Sequence, residues 1–397
     1  MFSANQQRRV TDLTSRPPDV ARTPSSPGAV AIRWIRSSDA ATAERTWKEL
    51  ESRLGGGGLA CSWLWTGTWL EHYGDLVPHR FAVGEIGGAE CGIALVTNGV
   101  QRRRGPFRVR SVHLGTAGEP PTESVYVEYN RILVEPDHRA GFAAALLAEL
   151  RSDPDWHELT LDGFAPEDAE PFLAAELRLE GRREVCPTTV LRKADETGGD
   201  VIGILRSSTR KKLRRSFRAL GDVRAEWAET PEEALEILEE LILLHQTRWT
   251  RTGHRGVFAS PRVAGFHRAL VRRLAATGGV VLFRASAASG TVGCEYGFIE
   301  GDRVLLYQSG LAGHPDRQVR PGFVADVLCM QACYERGFSE YDFLAGESIY
   351  KHQLSTDARE LVWATWRRPA VRWQVMDTLA KVKRRAGAMR AAGRRRT

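Results

Sequence analysis

No stretch of this chain approaches the roughly 18–20 uninterrupted apolar residues that a membrane span requires. The opening MFSANQQRRVTDLTSRPPDVARTPSSPGAV holds no apolar run to serve as a signal-peptide core. Residues 1–29 therefore read as a disordered leader, because Pro, Ser, Thr and Arg bury too little surface to offset ordering entropy. Cysteine is sparse. The six, at positions 61, 91, 186, 294, 329 and 333, include no Cys-x-x-Cys pair. That excludes a disulfide framework and paired-ligand metal sites, and it predicts buried, reduced thiols in a cytoplasmic protein that needs no metal. Also missing are Gly-x-x-x-x-Gly-Lys-Ser/Thr, His-Glu-x-x-His, Gly-x-Ser-x-Gly and the dinucleotide fingerprint, which removes the common nucleotide, zinc-protease and serine-hydrolase signatures.

What is present is enough chain for two domains of ordinary size plus tails: 397 residues, 42% hydrophobic and 26% charged. The net charge of +7 is unevenly placed. From Arg367 to Thr397 there are eleven Lys or Arg and one acid, Asp377, so the rest of the chain is net negative. Basicity belongs to the tail, which argues against nucleic-acid binding by the body.

Hydrophobic periodicity and turn residues give the organisation. A strand is expected at 30–35, a helix at 40–53 with Asp39 as N-cap, a helix at 66–73, and strands at 80–86, 89–98 and 108–114. Tyr126–Leu133 reads as a further strand, followed by a helix at 139–152, a strand at 158–161 and a helix at 167–176. The polar, Gly-rich stretch 192–200 divides an N-terminal domain, 30–195, from a C-terminal domain, 200–369; a basic tail covers 370–397. In the second domain Ser207 or Ser208 caps a basic helix to Leu220. Thr230-Pro231-Glu232-Glu233 starts a long helix, and Ser260-Pro261 starts another. Strands at 280–285, 291–299 and 303–311 form a meander. A loop then leads into a helix at 322–336, a strand at 339–344 and a strand at 361–367. This order implies an α/β fold with a mixed sheet. The two halves share a rough grammar that suggests duplication.

Several constellations could carry chemistry. Between Gln308-Ser309-Gly310 and Arg320-Pro321-Gly322-Phe323 a strand gives way to a helix start, where free N–H groups favour a phosphate and Arg317 and Arg320 add charge; an ordinary strand-to-helix connection is the competing reading. Asp342 lies inside an apolar strand, with Gly346, Tyr350 and Lys351 close behind. Tyr350 suits a general acid, and Lys351 suits Asp342 or a ligand phosphate, against a buried Asp that only satisfies its loop. Glu295 sits opposite in facing to Cys294 and Tyr296, as a general base with a raised pKa or as a plain sheet-face acid. His245 and Trp249 share a helix face, as a pocket wall or as core. The face of Arg210–Arg218 is solvated or meets phosphate, lipid or RNA. The tail carries a weak apolar stripe that offers peripheral membrane contact.

The strings SSTRKKLRRSFRALG, LHQTRW, YQSG, the Pro-Gly helix and YDFLAGESIYKHQL together resemble the CelD-type, cellulose-biosynthesis acetyltransferase-like family of the GNAT superfamily. The match spans about Ser207–Trp366. The first half is similar to the degenerate GNAT-like half of FemAB-like proteins. The resemblance implies tandem GNAT-like domains with a degenerate N-terminal copy. It also implies acyl transfer from acyl-CoA, usually acetyl-CoA, to an amine or hydroxyl of a small-molecule, sugar or lipid acceptor. Pantetheine would lie along Tyr307, Gln308 and Ser309, and pyrophosphate at Arg317, Arg320, Gly322 and Phe323, where one of the family's two loop glycines is kept. Glu295 or Asp342 would help deprotonate the acceptor, Tyr350 would protonate the departing thiolate, Lys351 would assist, and His245, Trp249 and Gly346 would contact the acceptor. An aminoacyl-tRNA donor that uses the basic helix and tail, and a non-catalytic accessory role in polysaccharide or lipid synthesis, are the alternatives. The sequence fixes no oligomeric state.

Overall fold

The structure is a computed structural model and describes residues 28–378 apart from 105, 175–178, 347, 372 and 377. The leader expected over 1–29 lies outside the described residues up to 27, and the basic tail lies outside them from 379 onward.

The first half runs β1 (Ala31–Arg36), α1 (Ala40–Arg53), α2 (Trp63–Tyr73), β2 (His79–Ile86), β3 (Ala89–Asn98), the small hairpin β4 (Arg102–Arg104) and β5 (Phe107–Val109), and β6 (Ser111–Leu114). It continues with β7 (Leu133–Val134), α3 (Arg139–Ser152), β8 (Glu158–Phe164), α4 (Pro166–Leu173) and β9 (Leu179–Val190). The second half runs α5 (Ser207–Leu220), β10 (Arg224–Trp227), α6 (Pro231–Arg251), α7 (Pro261–Ala275), β11 (Val280–Ala287), β12 (Gly290–Glu300) and β13 (Arg303–Leu311). It ends with α8 (Pro321–Glu335), β14 (Glu340–Asp342), α9 (Ile349–Leu354) and β15 (Asp357–Arg367).

Local chemistry sets most helix starts. Thr230 and Glu233 form a reciprocal capping box on α6, Ser260 caps α7 ahead of Pro261, and Ser62 caps α2, three residues earlier than the sequence suggested. Asp39 and Ser207 differ from expectation. A single 3₁₀ turn, Ser37–Asp39, leads into α1, and α5 starts after Arg206; neither helix has a side-chain cap. The strand expected over Tyr126–Leu133 is absent. Tyr126 and Tyr129 have φ of 46° and 52°, which no strand accommodates, and pairing is limited to a single bridge of Asn130 with Phe164 and the two-residue β7.

All strands except the small hairpin join one 13-stranded sheet, whose main path is β1-β2-β3-β6-β8-β15-β9-β14-β13-β12-β11-β10. The halves exchange their last strands. β9 pairs antiparallel with β14 of the second half, and β15 pairs antiparallel with β8 of the first. The sheet runs unbroken through strands from both sides of residues 192–200.

Three large apolar clusters flank the sheet. One lies under α3 and α4, and one under α5 and α8. The third joins the halves: Trp65 of α2 meets Phe266 of α7 at 5.2 Å and Phe298 of β12 at 5.8 Å, both edge-on. Burying each such large side chain contributes about 1.5–3 kcal/mol, so separating the halves would be costly. All six cysteines are buried and unpaired. None of the helices among the described residues is long and apolar enough to cross a membrane.

Candidate active site

β13 and β14 run parallel for three pairs, ending at Leu305 opposite Asp342, and then part. Two local irregularities drive the parting. A bulge shifts the β12–β13 register, so that Tyr296 faces Gln308 while Gly297 faces Leu306, which leaves Tyr307 as the extra residue. On the other side Leu344 adopts φ 58°, held by its N–H donating to Asp342 Oδ1 at 2.7 Å. α6 can approach β13 here because position 310 is glycine. A Cβ there would lie 2.5 Å from the Leu241 carbonyl oxygen.

A segment of the first half enters the gap. Tyr307 donates its O–H to the Val125 carbonyl at 2.7 Å, Tyr129 donates its O–H to Asp342 Oδ2, and Glu128 Oε2 accepts the Ala345 N–H at 2.8 Å. Lys351 Nζ, from α9, donates to the carbonyls of Leu344 (3.0 Å) and Ala345 (2.9 Å). The resulting slot encloses about 20 Å³, enough for a water-sized group, between Glu128, Gln308, Leu344 and Lys351. Tyr126, Tyr129 and Leu344 are the three non-glycine residues with positive φ among the described residues; Tyr126 and Leu344 line this slot, and Tyr129 lines the small cavity beside it, which shares Tyr126, Glu128 and Leu344. Strained backbone gathered at one place is typical of functional sites.

The electrostatics follow from crowding. Burial pushes the Glu128 carboxyl up to about 7, opposed by the Ala345 N–H bond and the Lys351 charge. Burial pushes Asp342 up to about 6 against its bonds from Tyr129 and Leu344. Burial also lowers Lys351 below the usual lysine range, with Glu128 the main opposing charge. Glu128 keeps some exposure, whereas Asp342 has none. A partly accessible carboxyl that titrates near neutrality suits proton abstraction.

A cleft of about 220 Å³ adjoins the slot. Its walls include Pro121 and Ser124 of the first half, His245 and Trp249 of α6, and the loop from His254 to Ser260. Tyr126 and Gln308 line both cleft and slot, so the two communicate. His245 packs edge-on against Phe258 at 5.2 Å, and burial drops its pKa to about 4, so the imidazole is a neutral wall.

The remaining expected residues lie on the α8 side of the sheet. Glu295 is fully buried and faces Ser309 in register. Burial, and then the charge of Asp326, holds it well above the usual carboxylate range. Tyr350 donates to Asp326 Oδ1 at 3.1 Å and packs near Phe323, with ring centroids 5.9 Å apart; burial and the same two acids keep it protonated. Asp326 itself is pushed up to about 8 by burial. α8 begins at Pro321 without a side-chain cap, with Arg317 and Arg320 exposed beside Gly322. Gly346, at φ 108°, donates its N–H to the Val185 carbonyl at 3.2 Å.

The structure thus brings Tyr307, Gln308, Asp342, Gly346 and Lys351 to one gap, places His245 and Trp249 in the adjoining cleft, and sets Glu295 and Tyr350 apart on the other face. Sequence reasoning missed Glu128, Tyr126 and Asp326. The acid inside the apolar run Phe323–Met330 was a usable signal for Asp326; for Glu128 there was none, because its partner is 217 residues away.

Residues 203–352 match the model of the acetyltransferase (GNAT) domain. That match makes the chain an acyltransferase. No curated protein matches it in sequence. Among solved structures it is similar to FemX (TM-score 0.49, 10% identity, 83% of this chain and 96% of that one). It is also similar to L-PGS from Bacillus licheniformis (0.49, 11%, 87% and 96%) and to a tandem GNAT protein from the clavulanic acid biosynthesis pathway (0.42, 13%, 86% and 99%). The fold is mixed α/β around one large mixed sheet, and the GNAT match lies in its second half.

Proposed function

We propose that the chain transfers an acyl group at the gap between β13 and β14, onto an acceptor that enters through the cleft of His245 and Trp249. The observation that carries this reading is Glu128. It comes from the first half, accepts the Ala345 N–H inside the second half's gap, and titrates near 7. It would take the acceptor's proton as the acceptor attacks, a role the sequence assigned to Glu295 or Asp342. The Asp342 carboxylate is spent on Tyr129 and Leu344, and Glu295 is sealed from solvent. Lys351 would hold the Leu344–Ala345 turn and offset the charge that Glu128 carries at high pH.

We propose acyl-CoA, acetyl-CoA first, as donor. It would supply an activated thioester. The uncapped start of α8, with Arg317, Arg320 and the N–H groups of Gly322 and Phe323, suits its phosphates. Tyr307, Gln308 and Ser309 line the strand edge towards the gap. Tyr350, held protonated, would protonate the leaving group after releasing Asp326.

The N-terminal copy would be inactive because its own gap is filled. β6 and β8 run parallel through His113 opposite Thr160, and Asn130 then spans their ends, its Nδ2 donating to the carbonyls of Leu114 (2.9 Å) and Asp162 (3.1 Å). The loop from Gly115 to Ile132 thus closes one gap and furnishes the other. The domain division at 192–200 and the CelD-type subfamily belong to this reading.

An aminoacyl-tRNA donor is the second reading, favoured by the exposed cations Lys211, Arg214 and Arg218 on α5, the helix whose Ser216 accepts the Arg320 N–H at 2.9 Å next to the start of α8. Thermal shift separates the two. A rise in melting temperature with acetyl-CoA supports the first reading. No rise, together with salt-sensitive tRNA binding, would replace it with the second.

A further inference from the structure

β6, β8 and β15 have a second face. Leu159 and Leu161 of β8, and Val362, Ala364 and Trp366 of β15, pack beneath α3 and α4. Side chains alternate along a strand, so Ser111, His113, Thr160, Asp162, Trp363 and Thr365 point the other way, where they line a cleft of about 280 Å³. None of them lines the slot or cleft described above.

Three of these residues form a hydrogen-bonded chain. Ser111 Oγ lies 2.9 Å from His113 Nε2, and His113 Nδ1 lies 2.6 Å from Asp162 Oδ2. An ionised carboxylate only accepts, so Nδ1 carries the proton and Nε2 offers its lone pair to the serine O–H. The chain lies on the floor of the cleft with little of it exposed, His113 3% and Ser111 7%. Gly99 closes over it. A Cβ at position 99 would lie 2.6 Å from Ser111 Oγ and 2.8 Å from His113 Nε2, so only glycine leaves the serine–histidine contact intact. Arg102, Arg182 and Arg367 also line the cleft; Glu184 meets Arg182 at 2.7 Å and Glu158 meets Arg367 at 3.0 Å, so the cation turned towards a substrate is Arg102.

We propose that Ser111, His113 and Asp162 form a second reactive centre, an activated serine that cleaves carboxylic esters bearing a negative charge. Nucleophile, base and a carboxylate that orients the base stand in the order such chemistry needs. Ser111 Oγ bonds to the ester carbonyl carbon as its proton passes to His113 Nε2. The alcohol departs with that proton, and water then attacks the acyl-serine to give the carboxylic acid and free Ser111. Asp162 is a positioning residue that fixes the imidazole tautomer. Arg102 faces the substrate's negative charge.

The test is labelling of the full-length protein with a fluorophosphonate, mapped by mass spectrometry. In that reaction the Ser111 Oγ–P bond forms and fluoride leaves. The expected result is one adduct, on Ser111, with the labelling rate reduced on the order of 10²–10⁴-fold in His113→Gln of unchanged melting temperature. With 4-nitrophenyl hemisuccinate against 4-nitrophenyl acetate, the anionic ester should be cleaved faster, and Arg102→Ala should remove the preference. Folded wild-type protein that yields no Ser111 adduct overturns the proposal, and so does folded His113→Gln that labels at the wild-type rate. The wild-type result decides even where a variant fails to fold.

Discussion

Replacing Glu128 with Gln keeps the side chain's shape and its acceptor oxygen for the Ala345 N–H, but removes the ability to take a proton. A positioned general base is worth roughly 10²–10⁴-fold in rate, or about 3–5 kcal/mol of barrier. Turnover should fall by that amount while donor binding stays constant. In the wild type, activity should rise with pH through a limb near 7, as the carboxyl, which burial pushes up to about 7, loses its proton. That limb should vanish in Glu128→Gln. Stability should move the opposite way. An unfolded glutamate ionises near 4.5, whereas the folded one holds its proton to about 7, so between these pH values the folded state binds more protons and stability falls as pH rises. Above pH 7 the accumulated cost is about 3 kcal/mol. Glutamine does not bear it, so Glu128→Gln should be more stable than wild type at pH 8 and nearly equal at pH 4.5. The assay is initial rate by free-thiol detection across pH, paired with denaturant unfolding at the same pH values. A variant that keeps both its rate and the limb near 7 would refute the reasoning.

Tyr129→Phe removes a donor from the fully buried Asp342 and should cost about 1–3 kcal/mol in denaturant unfolding, more at pH 8 than at pH 5 because the ionised carboxylate loses most. Gly310→Ala forces a methyl group against the Leu241 carbonyl oxygen and should destabilise by about 1–3 kcal/mol, readable as a lowered melting temperature. Trp249→Ala should raise the acceptor KM about tenfold and leave kcat within a factor of about two, since an aromatic wall of this kind contributes ~1–2 kcal/mol to binding.

The second half was the more legible in sequence. Its capping box at Thr230, its Pro at the starts of α6, α7 and α8, and its glycine turns are local signals that tertiary packing did not override. β9 was unreadable as a strand because Arg182, Arg183 and Glu184 interrupt its apolar pattern. Their charges are met by Glu184, by Glu360 of β15 and by the Trp363 ring, none of which a local window reveals. Tyr126–Leu133 failed in the opposite sense. Its aromatic and β-branched residues have high strand propensity, yet Tyr126 and Tyr129 sit at positive φ, with Tyr126 tied to Ser124 and Pro121 of its own loop and Tyr129 to Asp342 of the other half. The same distance hid the candidate base. Asp342, Tyr350 and Lys351 could be picked out within one short motif, whereas Glu128 acquires its role only when the loop from the first half enters the gap.

Amide hydrogen exchange of the full chain with and without acetyl-CoA tests the central claim most directly. Acetyl-CoA should protect the start of α8 and Leu344–Gly346 and, with them, Val125–Tyr129 of the first half. Protection confined to the second half, or none, would contradict a site built from both halves.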